Sequence, residues 1–495
     1  PKIPSVTKAK KLPTTKEAIN FLYDSRDKGG EIYRKTINSL IKYSFARAPE
    51  ISPEGIEGID KAIKWGFNQK YGPGEILDII GINKIVANIE KQGEVPLLLK
   101  ELYDKGKGKV YLANKQKEEM VYDKEGKYRK IKRPDKYLKF KDIAKLYQPL
   151  FNIASGGRAF LLESGIVAFE MLSKKGTINV FVIDGIQKAL DIAERNNTGL
   201  IIGHDLDNFS FGADLDMLAG FILRSKTKRI EKVVKEFQML NYRLKYSKVP
   251  VVVIKKGMAL GGGCELGYGA HIRAAHDTFI GLVEVGVAFI PGGAGTKETL
   301  VKKFQKYSQK KKYKPLDYIK ETFMQIAFAK VAMSAYEAKE LGYLKEQDKI
   351  SMNSDFLLYD AIEDVKRLSK NYRPPEEVKI FLPGQNMKAT LYTGVDLAIA
   401  AKQAPPMKVP NFIRKHYQLV LRTLGNVLSG GDILPPGKEF SELEILEMER
   451  KAFLRLTTQM SLKEKFSWLQ IAGNALKKKP LSWGIKSILK SYFIN

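Results

Sequence analysis

A glycine-rich segment and two separated glutamates are the part of this 495-residue sequence best suited to chemistry. The run GMALGGGCELGYG (257–269) places three consecutive glycines after an apolar stretch, and without Cβ atoms the backbone can approach a ligand closely. A helix opening at Gly262 would point free N–H groups at that ligand and stabilise a developing negative charge. Glu265 follows within one helical turn, on the same face. Glu284 comes later, in the next strand-to-helix loop.

A second segment, NFSFGADLDML (208–218), can complete the same site. We predict that the backbone N–H of Phe211 acts there as a second donor. Together with the N–H of Gly262 it would form a two-donor hole for an oxyanion. The large ring of Phe211 would then help to shape the pocket beside that hole.

Length and composition limit the class of protein. A chain of 495 residues exceeds one ordinary core, so two or three domains are expected. With 44% hydrophobic and 28% charged residues, collagen-like, disulfide-rich and broadly disordered classes are excluded. Cys264 is the only cysteine, so we predict a small core residue and no metal site. The most apolar stretch, 249–254, is cut short by Lys255 and Lys256, so no membrane partner and a cytoplasmic location are expected.

The net charge of +29 is spread along the chain and would attract any polyanion. The run KKFQKYSQKKKYK (302–314) holds seven lysines and no acid. We interpret it as a solvated helix face, with steering of a phosphate-bearing ligand or contact with nucleic acid as the alternatives.

The order of periodic segments predicts an α/β core between helical regions. Residues 14–105 show helical periodicity, with Thr15 as the predicted N-cap of the first helix, and 107–137 have the alternation of a small hairpin. From about 150, short β-branched runs alternate with helical segments. From 331 onward the pattern is mostly helical again.

Three segments, 208–218, 257–276 and 279–300, resemble the signature segments of the crotonase (enoyl-CoA hydratase/isomerase) superfamily, in the right order and spacing. The resemblance covers roughly residues 150–400. It implies an α/β fold with a crotonase-like ββα spiral core at 141–335. A helical C-terminal and oligomerisation region would then occupy 336–495, and a trimer or dimer of trimers is expected.

The resemblance also implies roles for single residues. Hydratases of the family use two glutamates to hold one water, deliver its hydroxyl to C3 of a 2-enoyl thioester and place a proton on C2. Glu265 and Glu284 match these positions, and such a pair needs one carboxyl ionised and one protonated. Lys174 and Lys175 match a place where the family contacts coenzyme A, although they can equally be surface lysines. The oxyanion-hole and substrate-binding positions are Phe211, Gly212, Ala213, Asp214, Gly261, Gly262, Pro291 and Gly292.

The N-terminal part is similar to another family. Residues 58–82 resemble the C-terminal helical domain of 3-hydroxyacyl-CoA dehydrogenases, and 427–456 resemble the tail of fused hydratase/dehydrogenase enzymes, so we assign 1–140 to such a domain plus a linker. The Gly-x-Gly-x-x-Gly turn that seats NAD is absent, and no histidine precedes His204. Dehydrogenase activity is therefore not expected from this chain alone. NAD would bind only if the missing nucleotide-binding part were supplied, for example by a separate chain.

The sequence thus predicts an enoyl-CoA hydratase, a lyase of fatty acid metabolism. It would add water syn to 2-enoyl-CoA, giving (S)-3-hydroxyacyl-CoA, as the hydratase part of a bifunctional enzyme. Coenzyme A enters only as part of the acyl-CoA substrate, and no permanently bound cofactor is expected. An enoyl-CoA isomerase of the same fold is one alternative. A crotonase-like RNA-binding protein is the other, although a nucleic-acid partner is not expected.

Overall fold

The computed structural model of the protein describes residues 3–67, 69–105, 107–114, 118–400 and 411–458. The chain forms two compact units, the first ending at Pro134 and the second beginning at Asp135. The predicted boundary at residue 140 lies slightly later than this division. The helices after residue 335 belong to the same compact unit as the sheets. No helix in the described ranges is both long and apolar enough to cross a membrane.

The first unit is helical and ends in a small antiparallel sheet, as predicted. Thr14, rather than the predicted Thr15, caps α2: its side chain accepts the N–H of Glu17 at 3.1 Å, and the Glu17 carboxylate accepts the N–H of Thr14. The helices are α1 (Pro4–Ala9), α2 (Thr15–Asp24), α3 (Lys28–Ile51), α4 (Ile56–Gly66), α5 (Pro73–Ile80), α6 (Ile82–Glu90) and α7 (Leu97–Asp104). The strands are β1 (Tyr111–Ala113), β2 (Glu119–Tyr122) and β3 (Tyr128–Lys130), paired in that order.

The second unit alternates strands and helices and then becomes mostly helical. Its strands are β4 (Phe151–Ile153), β5 (Gly157–Leu161), β6 (Val167–Met171), β7 (Leu200–Gly203), β8 (Val251–Lys255), β9 (Met258–Leu260), β10 (His271–Ala275), β11 (Phe279–Gly281), β12 (Val331–Ala332), β13 (Lys349–Ser351), β14 (Ile380–Leu382) and β15 (Lys438–Phe440). Its helices are α8 (Phe140–Leu146), α9 (Val180–Arg195), α10 (Leu215–Leu223), α11 (Thr227–Lys245), α12 (Gly262–Glu265), α13 (Gly295–Ser308), α14 (Pro315–Ala327), α15 (Ala335–Glu340), α16 (Leu357–Ser369), α17 (Gln385–Ala400), α18 (Asn411–Ser429) and α19 (Glu442–Thr458).

Along the described chain, the largest sheet has the strand order β13-β10-β8-β7-β6-β5-β4. The strands from β6 to β13 are parallel, and β4, β5 and β6 pair antiparallel. β6, β7 and β8 are buried along their whole length, which explains why they read as continuous apolar runs rather than as alternating ones. A smaller sheet, β12-β11-β9, leads into the glycine-rich turn. The predicted α/β fold, with helices before and after the core, is confirmed.

A buried ion cluster joins three helices of the second unit. Lys245 ends α11, Lys297 and Glu298 lie in the first turn of α13, and Glu442 begins α19. The Nζ atoms of both lysines lie 2.8 Å from Oε2 of Glu442. Lys245 Nζ also lies 3.3 Å from Oε2 of Glu298, which pairs with Lys297 as well. Although burial alone would raise it, the two lysines lower the pKa of Glu298 to about 2. Two cations and two anions therefore balance one another out of contact with water.

We predict that Glu442→Gln lowers the free energy of unfolding by about 3–5 kcal/mol, because it leaves a buried lysine without its partner. Urea unfolding measures this loss. The matched control is Glu447→Gln, an exposed residue of the same helix, which should leave the stability essentially unchanged. Since the pKa values of Glu298 and Glu442 are lowered in the folded state, the cluster stabilises the fold above about pH 4.3 and this contribution is lost as pH falls. An equal loss of unfolding free energy in Glu442→Gln and Glu447→Gln would contradict the prediction.

Candidate active site

β9 ends at the glycine-rich turn, which a neighbouring loop contacts directly. Gly261 has a φ of 55°, and its N–H donates to the carbonyl of Gly281 at 2.9 Å. A Cβ atom at Gly263 would lie only 2.4 Å from the carbonyl oxygen of Ser210. Glycine is therefore required at these positions by conformation and by close approach. The contact brings the two predicted segments together.

Two backbone N–H groups lie side by side at this contact. A Cβ on Gly262 would lie 3.2 Å from the nitrogen of Ala213, and one on Gly212, whose φ is 102°, would lie 2.8 Å from the nitrogen of Gly262. Within the described ranges, neither the N–H of Gly262 nor that of Ala213 donates a hydrogen bond. The geometry thus places Ala213 next to Gly262 as a donor. The role of the Phe211 N–H remains a prediction.

Glu265 is buried against the start of the next long helix. Its Oε1 accepts hydrogen bonds from the N–H groups of Gly293 and Gly295, each at 2.8 Å. Burial raises the pKa of Glu265 to about 7, while these two donors and the charge of Lys255 act to lower it. Because Oε1 is already bonded, Oε2 is the oxygen that can exchange a proton with a ligand.

Glu284 faces the glycine-rich turn from the other side. It opens a short 3-10 turn that follows β11, and its Oε1 would lie 3.2 Å from a Cβ at Gly261. Its Oε2 is buried and has no hydrogen-bond partner in the part of the chain that the structure describes. Burial, and then the charge of Glu265, raise the pKa of Glu284 well above its usual value. Of the two, Glu284 therefore holds its proton more strongly, and Glu265 is the more readily ionised.

A third buried carboxylate, that of Glu449 in α19, also binds the start of α13. It was not predicted from the sequence. Oε1 of Glu449 accepts the N–H of Ala294 at 2.7 Å, and Oε2 accepts the N–H of Lys297 at 2.9 Å. Burial, and then the charge of Glu265, raise the pKa of Glu449 to about 8. One signal was available in the sequence. Glu442 and Glu449 are seven residues apart, on the face of α19 that also carries buried apolar side chains.

Buried lysines also depart from the sequence interpretation. Lys255, taken only as the polar end of an apolar run, is fully buried, and its Nζ donates to the carbonyl of Cys264 at 2.8 Å. Burial lowers its pKa to about 8. In the lysine-rich run, Lys303 is buried and pairs with Glu321 at 2.6 Å, and Lys302 is half-buried, with its Nζ donating to the carbonyl of Tyr343 at 3.1 Å. The solvated-face interpretation is therefore wrong for Lys303 and holds only in part for Lys302.

The other predicted site residues lie near the turn in different ways. Lys174 and Lys175 are exposed on a short turn whose Gly176 approaches the carbonyl of Phe209, so this turn neighbours the 208–214 loop. Asp214 caps α10, because its Oδ1 accepts the N–H of Met217 at 3.0 Å.

Pro291 and Gly292 form the buried loop before α13. The carbonyl of Pro291 accepts the hydroxyl of Thr296 at 3.2 Å. A Cβ on Gly292 would lie 2.7 Å from the ring of Phe453, so the structure gives this glycine a packing role. Cys264 is buried, and burial raises the pKa of its thiol to about 12, which agrees with a core residue.

Comparison with known proteins gives one family match and several relatives. Residues 170–305 match the family "Enoyl-CoA hydratase/isomerase", so this segment is a crotonase-type domain. The chain as a whole is 34% identical, over 481 residues or 96% of its length, to the Bacillus subtilis protein named "Probable 3-hydroxyacyl-CoA dehydrogenase". Over 101 residues, 20% of the chain, it is 33% identical to "Fatty acid oxidation complex subunit alpha" of Shewanella frigidimarina.

The chain spans only part of these relatives, 58% of the Bacillus protein and 14% of the Shewanella protein. Among solved structures, an enoyl-CoA hydratase from Rhodobacter sphaeroides aligns with 67% of this chain and 94% of its own length, at 15% identity and a TM-score of 0.43. The family match and the relatives support a hydratase-type enzyme.

We predict that Gly293→Ala destabilises the protein and displaces Glu265. The added Cβ would lie 2.3 Å from the ring of Phe237 and 2.7 Å from Oε2 of Glu265, and overpacking of this kind costs about 1–3 kcal/mol. Urea unfolding gives the change in stability. Gly220→Ala in α10 is the matched control, since its Cβ would meet nothing within 4 Å, and it should be neutral or slightly stabilising. Equal stability of the two variants would refute this account of the loop.

Proposed function

We propose that this chain hydrates 2-enoyl-CoA to (S)-3-hydroxyacyl-CoA by syn addition of water. One observation carries the proposal: two buried carboxyls, of which Glu284 holds its proton more strongly than Glu265, lie beside a glycine-rich turn with free N–H groups. Glu265 has two backbone donors on one oxygen, and Glu284 has a buried oxygen without a partner in the described chain. A pair of this kind can take one proton from water and give another to carbon.

The proposed reaction assigns one step to each group. The thioester oxygen accepts hydrogen bonds from the N–H groups of Gly262 and Ala213, which stabilise the enolate that forms as the water oxygen bonds to C3. Glu265 takes a proton from that water, and Glu284 gives its proton to C2. The product gains one hydroxyl and one hydrogen, and a proton passed from Glu265 back to Glu284 restores the starting state.

The surroundings of the site suggest further parts of the proposal. Lys174 and Lys175, exposed beside the 208–214 loop, would contact the phosphates of coenzyme A. We also propose a homo-oligomer in the cytoplasm. The chain would act as the hydratase part of a bifunctional enzyme whose NAD-dependent step needs a further nucleotide-binding part.

We predict that Glu265→Gln and Glu284→Gln each lower kcat for hydration of crotonyl-CoA, without NAD, by about 10²–10⁴-fold. Loss of the enoyl-thioester absorbance gives the rate, and circular dichroism shows whether each variant is folded. Glu447→Gln serves as the matched exposed control. Full hydration by a folded Glu284→Gln variant would refute the proposed pair. If the protein moved the double bond of a 3-enoyl-CoA but did not hydrate crotonyl-CoA, the isomerase alternative would replace the hydratase.

The donor next to Gly262 can be identified by proline substitution, which deletes one backbone N–H. We predict that Ala213→Pro lowers kcat by about 10²–10³-fold, because one oxyanion donor is lost. Phe211→Pro, which also removes an N–H without an acceptor in the described residues, should have the smaller effect on kcat. The reverse order would show that Phe211 is the donor. Both variants are compared with the wild type by crotonyl-CoA hydration and by thermal unfolding.

A further inference from the structure

We propose that Glu449 of α19 is a positioning residue for the Glu265–Glu284 pair: it fixes the peptide segment that holds Glu265 and, once ionised, places a second negative charge beside Glu284. This inference rests on the proposed function. It extends the site to a helix that begins at Glu442, well beyond the family match, which ends at residue 305.

The first support is geometric. The segment 293–297 leads into α13 and forms its first residues, and four of its N–H groups are shared between two carboxylates. Glu265 takes the N–H groups of 293 and 295, whereas Glu449 takes those of 294 and 297. Since these donors belong to one short peptide segment, a displacement of Glu449 moves the atoms that orient Glu265. The ring of Phe453, one turn further along α19, covers the same loop.

The second support is the chemistry of the donors around Glu449. Each of its oxygens accepts at least one N–H, and Oε1 also lies 3.3 Å from Nε2 of Gln238. Burial and the charge of Glu265 raise the pKa of Glu449 to about 8 although these three donors act to lower it, so its carboxyl becomes ionised above neutral pH. The side chain of Gln238 is oriented in turn by Arg450, whose NH1 donates to its Oε1 at 3.1 Å.

The cations near Glu449 interact mainly with other acids, so they do not neutralise the charge that Glu449 carries when ionised. Glu265 from α12 and Glu284 from the 3-10 turn are the acids that face it, and Lys255 of β8 acts on Glu265. Arg450, on the same helix, lies 4.0 Å from Glu231 of α11. Lys297 donates only its backbone N–H to Glu449, because its ammonium is bonded to Glu298 and Glu442.

The sign of the effect follows from like-charge repulsion. Once Glu449 is ionised, its negative charge makes it harder to ionise Glu284, which therefore holds its proton to higher pH. Neutralising Glu449 should therefore move the alkaline limb of a bell-shaped kcat profile to lower pH. A residue that only packed would lower the amount of folded enzyme but would leave the positions of the two limbs unchanged.

The test compares Glu449→Gln with Glu447→Gln, the same chemical change at an exposed position two residues away. kcat and KM for crotonyl-CoA are measured against pH in the full chain. We expect Glu449→Gln to shift the alkaline limb of the profile by about 0.5–1 pH unit toward acid and to lower kcat at least tenfold, with KM changed less than threefold. Glu447→Gln should match the wild type. An unshifted profile for folded Glu449→Gln would overturn the proposal.

Two further measurements cover the remaining outcomes. Glu449→Asp keeps the charge on a shorter side chain, so it should return the profile to the wild-type pH even if kcat stays low. If Glu449→Asp shifts the profile as Glu449→Gln does, the charge is not the cause and the proposal fails. If Glu449→Gln does not fold, Glu449→Asp alone decides, and a shifted profile for that variant overturns the proposal as well. If the wild type does not hydrate crotonyl-CoA, the proposed function fails separately. Infrared titration of the protonated carboxyl band then decides whether buried acids ionise at lower pH without Glu449.

Discussion

The start of α13 is the constraint on which the rest of the site depends. The first N–H groups of a helix have no partner inside the helix, and here they are buried, so they must be satisfied by other groups. Two carboxylates from distant parts of the chain do this, and the helix dipole stabilises their charges. Gly293 and Gly295 are required because a Cβ at either position would lie within 2.8 Å of a Glu265 oxygen. The glycines of this loop therefore admit a carboxylate rather than provide flexibility.

α19, the last helix that the structure describes, is consequently part of the same packed unit as the candidate site. α19 contributes Glu442 to the ion cluster and Glu449 to the start of α13, and Phe453 covers the preceding loop. Burying so many charges is unfavourable unless each one has a partner. Such pairing specifies one arrangement of α11, α13 and α19, because a shift of any one helix would leave a buried ion alone. Stability of the unit and orientation of Glu265 thus depend on the same contacts.

The sequence predicted what depends on local pattern and missed what depends on distant pairing. Short, largely apolar runs identified β6, β7 and β8, and the spacing of glycines and glutamates identified the turn with Glu265 and Glu284. Glu449 was missed because the groups that it binds lie about 150 residues earlier, and no spacing rule connects them. Lys303 was misread for the same reason: a lysine-rich run looks solvated until the burial of its first members is known. The N-cap at Thr14 differed by one residue, which is the usual uncertainty of a helix end.

An acidic interior and a basic surface answer different requirements of the proposed substrate. The phosphates of an acyl-CoA would be repelled by whichever of the three clustered carboxyls are ionised, and inside the protein that repulsion is only weakly screened. The net charge of +29 attracts the same phosphates from solution, but over a distance limited to about 8 Å at physiological salt. A neutral thioester is the part of the ligand that can enter among the acids, while the phosphates stay where exposed lysines such as Lys174 and Lys175 lie. The separation of charge in this fold therefore favours a ligand with an anionic end and an uncharged reacting end, which is the chemistry of an acyl thioester.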